Sequence, residues 1–304
     1  MNIKNLLSVI ILGVSSFNAA AQSNLLNAKT PAEIGKKTKV ELSSDNDKPL
    51  PYGYVRDRDV LMGKAVWETI DLDERINFPL YYPIDTANIG KDRRSLFDVI
   101  LKGIKSGKIT EVYGDSYFND KRTLKDMSNS FKFVDTTNAG RDEINNFYDE
   151  YKSGKKVLDR QYIDERELSA QDISQYKIKG FWYFDKRQGE MKYRLLGICP
   201  MAPEAKEVGK DNADQIDLFW VYFPAARDLL HSYNAFNDKN SSMPISYDNL
   251  LNSRRFNAVI FQEENVYGDR LIKDYLKDNA QLELLESERI KEKIRNFEQD
   301  MWTY

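Results

Sequence analysis

The chain has 304 residues, with 45 Lys and Arg against 48 Asp and Glu, for a formal net charge of −3. Both signs run along its whole length, which excludes the one-sided basic surface of a nucleic-acid binder, and 31% charged with 12% aromatic residues describes a folded, well-solvated chain. One cysteine, Cys199, excludes an internal disulfide, and one histidine, His231, leaves little material for transition-metal or nucleophilic chemistry.

Met1 to Lys4 is a short positive region, Leu6 to Val14 is mostly apolar, and Ala19-Ala20-Ala21 stands before Gln22. This predicts a secretory signal peptide over 1–21, cleaved between Ala21 and Gln22 and too short to span a membrane. Gln22 is not a cysteine, so no lipid anchor is expected there and membrane attachment would come through a partner, without direct insertion. Residues 22–50 predict a flexible arm rich in Ser, Asn, Lys and Asp. Leu25, Leu26, Val40 and Leu42 would anchor it if it folded onto a neighbouring subunit.

Residues 51–268 are expected to form one α+β body. Val60, Gly63, Trp67 and Ile70 recur at spacings of three and four, which predicts a helix over Asp59–Leu72 with Asp59 as its cap. Asn77-Phe78-Pro79 should stop it, and Leu80-Tyr81-Tyr82-Pro83 reads as a short extended strand. Asp92 to Gly107 predicts a second helix, with Leu96, Phe97, Ile100, Leu101 and Ile104 on one face and Gly107 at its C-terminus. Ile109–Tyr113 and Phe131–Val134 read as strands, and Asp142–Tyr151 as a helix. Ile178–Phe184, a turn over Asp185–Gly189, and Met191–Ile198 read as a hairpin ended by Pro200 and Pro203. Asp217 to Pro224 is apolar enough for a strand buried on both faces, completing a three-strand antiparallel meander.

Arg227–Tyr233 and Tyr247–Ser253, after Ser246, are short helices, and Phe256–Phe261 is a strand. A long charged helix is expected over 269–304. Its apolar phase shifts near Glu288, which predicts a bend or two differently used faces. The fold class is therefore α+β: a central, mostly antiparallel sheet, flanking helices and a long C-terminal helix. A weak internal echo sets Pro79-Leu-Tyr-Tyr-Pro83 and Val112-Tyr-Gly-Asp115 against Trp220-Val-Tyr-Phe-Pro224 and Val266-Tyr-Gly-Asp269, which reads either as an internal duplication or as repeated turn chemistry.

The residues offer few catalytic sets. Cys199, between Ile198 and Pro200, suits a small buried hydrophobe, and His231 follows Leu229-Leu230 in a helix; together they make a poor nucleophile and base. Asp211, Asp214 and Asp217, and separately Asp45 and Asp47, lack the glycine and closing glutamate of a calcium loop. Gly103 and Gly107 lack phosphate-loop spacing. Asp71 and Asp73 beside Arg75 are ordinary surface charges. No cofactor is expected. What remains is an interaction signal: Trp67, Tyr81, Tyr82, Trp182, Tyr183, Trp220 and Tyr222 are core fillers first and interface anchors second. Trp302 and Tyr304, at the extreme end after a charged helix, point to docking.

The stretch DVLMGKAVWETIDLDERINFPLYYP resembles the signature of the GldN/PorN family, periplasmic components of the Bacteroidota gliding and type IX secretion machinery. The resemblance implies a non-enzymatic subunit that pairs with an outer-membrane lipoprotein of the GldK/PorK type. With it, the chain would build a ring of many copies and meet the GldM/PorM motor component. It supplies no map of contacts; Trp67, Leu80, Tyr81, Tyr82, Trp302 and Tyr304 are the candidate interface or signature residues. Two other readings stay open: an exported hydrolase using carboxylates alone, and a periplasmic ligand-binding module.

Overall fold

In the computed structural model, residues 48–85, 94–123, 126, 131–154, 156–208, 213–236, 245–277 and 279–302 are described. The expected signal peptide with Ala21 and Gln22, the arm as far as residue 47, Asp92, Asp211, Tyr304 and the side chain of Trp302 lie outside the described residues. The first half of the chain runs β1 Val60–Asp71, α1 Phe78–Tyr81, α2 Leu96–Lys105, β2 Val112–Tyr113, β3 Lys121–Arg122, β4 Lys132–Thr136, α3 Asn138–Asn146, α4 Tyr148–Lys152 and β5 Ile163–Glu167. The second runs β6 Gln175–Asp185, β7 Glu190–Pro203, β8 Gln215–Asp217, β9 Val221–Tyr222, α5 Phe223–His231, β10 Asn234–Ala235, β11 Ile245–Ser246, α6 Tyr247–Asn252, β12 Val259–Glu263, α7 Ile272–Leu276 and α8 Ala280–Trp302. The architecture is α+β, an antiparallel six-stranded sheet in the order β12-β1-β6-β7-β8 with β9 also on β7, flanked by helices and closed by the long helix α8.

The sequence-based helix over Asp59–Leu72 is overturned: this stretch is β1, an inner strand paired with β6 on one side and β12 on the other. Both faces of such a strand are buried, so period-two alternation is hidden and a chance three-and-four spacing stands out. Val66, Glu68 and Ile70 point to one face, Ala65 and Trp67 to the other. Gly63 has a reason in the strand: a Cβ there would meet Phe181 Cζ at 2.5 Å. The extended segment expected at Leu80–Tyr82 is also corrected. Phe78–Tyr81 is one turn of helix with Pro79 in its first turn, where the missing N–H is not needed.

The β6–β7 hairpin is present and longer than predicted. Its turn closes with Gly189 at φ 69°, and β7 continues through Pro200 to Pro203. Beyond it the expected continuous strand is split. β8 and β9 flank Leu218, Phe219 and Trp220, which turn into the core, and Phe223 starts α5 with Pro224 in its first turn. Strand pairing after Ile109 is confined to β2, and the helix expected over Asp142–Tyr151 is divided at Phe147 into α3 and α4. Capping residues behave as their chemistry dictates: Ser95 and Ser246 accept the Asp98 and Asn249 N–H groups, and Gly107 follows α2 at φ 71°.

One sheet face is covered by α2, α5 and α6, which bury Phe97, Ile100, Phe223, Leu230, Tyr247 and Leu251 against Ile70, Tyr176, Ile178, Leu195 and Ile198. Further along that face, Val66 and Ile260 pack on Ile272, Ile290 and Ile294 from α7 and α8. The opposite face carries a smaller cluster of Ala65, Trp67, Tyr113, Cys199 and Trp220.

The terminal helix does not begin at Asp269. α7 ends at Lys277 in a left-handed conformation, φ 48°, and α8 then runs unbroken from Ala280. The apolar phase shift marks two faces. Ile290 and Ile294 point inward, Leu282 and Leu285 outward, and between them buried Ser287 accepts the Ile260 N–H at 2.9 Å. Ile260 belongs to β12, at the margin of the sheet, so α8 satisfies a donor there that no neighbouring strand takes.

Candidate functional site

The signature stretch divides into a buried half and an exposed half. Trp67 is 1% exposed and Leu80 is fully buried, so both lie in the core of this chain. Asn77, also buried, fastens the turn between them. Its Nδ2 donates to the carbonyls of Asp71 at 2.6 Å and Asn257 at 3.1 Å, and its Oδ1 accepts the Asn257 N–H at 2.9 Å. On that base Ile76, Phe78, Tyr82 and Ile84 stand out as exposed apolar side chains. Tyr82, 40% exposed, meets Phe78 and Tyr81 edge-on at ring-centroid distances of 5.4 and 4.8 Å. The result is a rigid aromatic ledge.

Behind β1 lies a buried ion pair between two residues far apart along the chain. Arg254 donates to both oxygens of Glu68, at 2.7 and 2.8 Å, and its guanidinium lies 4.2 Å from the centre of the Tyr193 ring and 5.3 Å from that of Trp182. Burial pulls the Arg254 guanidinium down, but the hydrogen bonds and charge of Glu68 outweigh it and hold the group above its usual range. Burial, reinforced by the Glu68 charge, pushes the Tyr193 phenol well up. The Tyr193 ring fills the space over Gly180, where a Cβ would meet its hydroxyl oxygen at 2.1 Å. Arg254 itself sits at φ 51°, a backbone conformation that strains any residue with a Cβ.

On the opposite face Lys179 is buried among rings, its Nζ 4.4 Å from the centre of Tyr117, 4.7 Å from Trp67 and 5.8 Å from Phe118. It donates to the Ser116 carbonyl at 3.0 Å. Burial holds its ammonium below the ordinary lysine range, partly offset by Asp269, Glu264 and Asp115. The two V-Y-G-D turns meet here. The Asp115 carboxylate accepts the N–H groups of Tyr117, Asn119 and Asp120, and Asp269 accepts the Asn265 N–H and the Tyr117 hydroxyl.

The two residues weighed for nucleophilic chemistry are placed for packing. Cys199 is buried, burial pushes its thiol well up, and its Sγ donates to the Pro200 carbonyl at 3.4 Å. His231 has Ser246 Oγ at 3.4 Å and the Asp248 carboxylate at 3.9 Å; that carboxylate is held by Arg227 through bonds of 2.7 and 3.0 Å. The Tyr52 ring lies 4.1 Å from Arg227 and 4.7 Å from Arg194, its hydroxyl donates to Asn252, and burial raises its phenol to about 12. Among the described residues no group of three or more His, Cys, Asp or Glu side chains is placed to hold a metal ion, and no helix is long and apolar enough to cross a membrane.

Fold and site define an α+β protein whose buried ionisable groups bond to one another and to the backbone, and whose signature stretch ends in an exposed apolar ledge. Residues 55–303 match the family model for gliding motility associated protein GldN. The chain belongs to the GldN family, periplasmic proteins of the gliding-motility and type IX secretion machinery. No curated protein matches it.

Proposed function

We propose that this chain is a non-enzymatic structural subunit of the type IX secretion and gliding machinery. It pairs with an outer-membrane lipoprotein of the GldK/PorK type, repeats with that partner as a ring, and meets the GldM/PorM motor component. The lipoprotein holds it at the periplasmic side of the outer membrane. The domain plan is part of the proposal: a signal peptide over 1–21, an arm over 22–50, a body over 51–268 and a terminal segment over 269–304 that carries Trp302 and Tyr304 as docking residues.

The observation that carries this reading is the ledge of Ile76, Phe78 and Tyr82 inside the family signature, with Ile84 just past its end, seated on the buried Asn77. Clustered exposed apolar side chains on a rigid base are how a soluble surface marks a protein contact. Co-purification with the lipoprotein tests it. Tyr82→Asp combined with Phe78→Asp should abolish capture at unchanged fold. Trp67→Ala should lower stability by about 3–5 kcal/mol, as loss of a buried tryptophan does, while the folded fraction still pairs. Full capture by the ledge variant would refute the ledge as the contact.

A further inference from the structure

Residues 48–55 lie on the body before β1 without joining its sheet. Among the described residues no backbone-to-backbone hydrogen bond ties this strap to a strand or helix, and Leu50 and Tyr54 are exposed, to 74% and 80%. None of its side chains enters a hydrophobic cluster of the body. What holds it is Tyr52 and the residue after it. The Tyr52 hydroxyl donates to Asn252 Oδ1 at 2.8 Å, and the Gly53 carbonyl accepts from Arg194 at 3.0 Å. The next hydrogen bond to the body along the chain is at Asp59, whose carbonyl accepts the Lys186 N–H at 2.8 Å. A segment fastened by one side chain, with no strand ladder and no apolar cluster behind it, opens at low cost while the body stays folded.

The socket that receives Tyr52 is assembled by the body alone. At its base is Asp248 of α6, fully buried. Its carboxylate fixes Arg227 of α5 through two bonds, at 2.7 and 3.0 Å, and accepts Asn252 Nδ2 at 2.8 Å. The same Nδ2 donates to the Asp248 carbonyl at 2.9 Å, which orients the Asn252 amide and leaves Oδ1 for the phenol. Arg194 of β7 supplies the remaining wall and grips the strap by backbone and ring together. Its guanidinium lies 4.7 Å from the centre of the Tyr52 ring, and that of Arg227 lies 4.1 Å away. A cation over a ring face is attracted to it, more strongly where water is excluded. Because Asp248 holds Arg227 and Asn252 without help from the strap, the socket keeps its form when its occupant leaves.

We infer that Tyr52 is a releasable latch: a phenol in a preformed socket of Arg194, Arg227 and Asn252 that sets how much of the chain before β1 lies on the body. With the latch closed, the chain leaves the body at Tyr52. With it open, the chain leaves at Asp59, which adds about 25 Å of extended backbone to the reach of whatever precedes it. The vacated socket presents two guanidiniums and one amide oxygen, a site for a para-substituted phenol. This inference concerns the strap alone and stands or falls apart from pairing with the lipoprotein.

Spin labelling of the mature full-length chain tests it. Leu50→Cys gives an exposed attachment point beside the latch, while the native Cys199 is buried and unreactive. The label should show a restricted line shape when Tyr52 is present and several-fold faster motion after Tyr52→Ala. Arg194→Met, which opens the socket from its other side, should do the same without touching the strap, and it carries the comparison if Tyr52→Ala disturbs folding. Tyr52→Phe keeps the ring, loses only the Asn252 bond and should lie between. Circular dichroism should be the same in all. Separately, calorimetry should detect 4-methylphenol binding to Tyr52→Ala at millimolar concentration and none to the wild type. Equal label motion in the Tyr52→Ala and Arg194→Met chains and their parent, fast or restricted, would overturn the latch. A Tyr52→Ala chain that ignores 4-methylphenol, or a wild type that binds it equally, would overturn the socket.

Discussion

Replacing Arg254 by Met strips the Glu68 carboxylate of both its charge-assisted hydrogen bonds, at 2.7 and 2.8 Å, while Glu68 stays 1% exposed. The remaining candidate donor, the Tyr193 hydroxyl, is 3.5 Å away. Removing one partner of a buried ion pair costs about 3–5 kcal/mol, because the other charge is left in a medium that does not solvate it. Against a typical total of about 5–15 kcal/mol that is a large share of the fold's stability. Urea unfolding followed by tryptophan fluorescence should therefore show the midpoint fall with an unchanged slope. The double variant Glu68→Gln, Arg254→Met should recover part of the loss, giving a favourable coupling energy between the two sites. Arg254→Gly should be about 1 kcal/mol more stable than Arg254→Met, since glycine relieves the backbone at φ 51°. A loss below about 1 kcal/mol in Arg254→Met, with no coupling, would refute the reasoning that Arg254 is what compensates the buried Glu68 charge.

Gly180→Ala should destabilise by about 1–3 kcal/mol, because the new methyl occupies space held by the Tyr193 ring; unchanged unfolding would contradict the packing. Ser287→Ala leaves the Ile260 N–H without its acceptor and should lose about 1–3 kcal/mol, with faster amide exchange at Ile260 as the specific readout. Glu286 is held below the ordinary carboxylate range chiefly by the Arg289 hydrogen bond. A carboxyl depressed on folding adds stability that is present above its unfolded value, about 4.3, and is lost as pH falls through its folded value. Arg289 is largely exposed, so the effect is screened: Arg289→Met should shrink the stability difference between pH 7 and pH 3 by about 0.5 kcal/mol or less, and an increase would reverse the assignment.

Features set by neighbours along the chain were legible in the sequence. The β6–β7 hairpin follows from two strand-forming runs around a glycine turn, α2 from its apolar face and α6 from Ser246. The signature stretch was legible as a family mark but not as a structure. Trp67 and Ile70 fit a helical face and belong to a strand, because β1 is covered on both sides and its period of two is hidden. Pro79 before Leu80 and Tyr81 suggested an extended chain, yet proline is equally suited to the first turn of a helix. Glu68 and Arg254 are far apart in sequence, and nothing local marks either as buried; the same holds for Lys179 among Trp67, Tyr117 and Phe118. The phase shift in α8 was visible, and its cause, Ser287 turned toward β12, was not.

The hydroxyl of Ser287 on Ile260, with Gln262 engaged by Leu271 and by the carbonyl of Asp269, closes the outer margin of β12. Along β12, molecules crowded side by side therefore find no open template on which their sheets could fuse into a fibre, and meet side chains in place of free backbone.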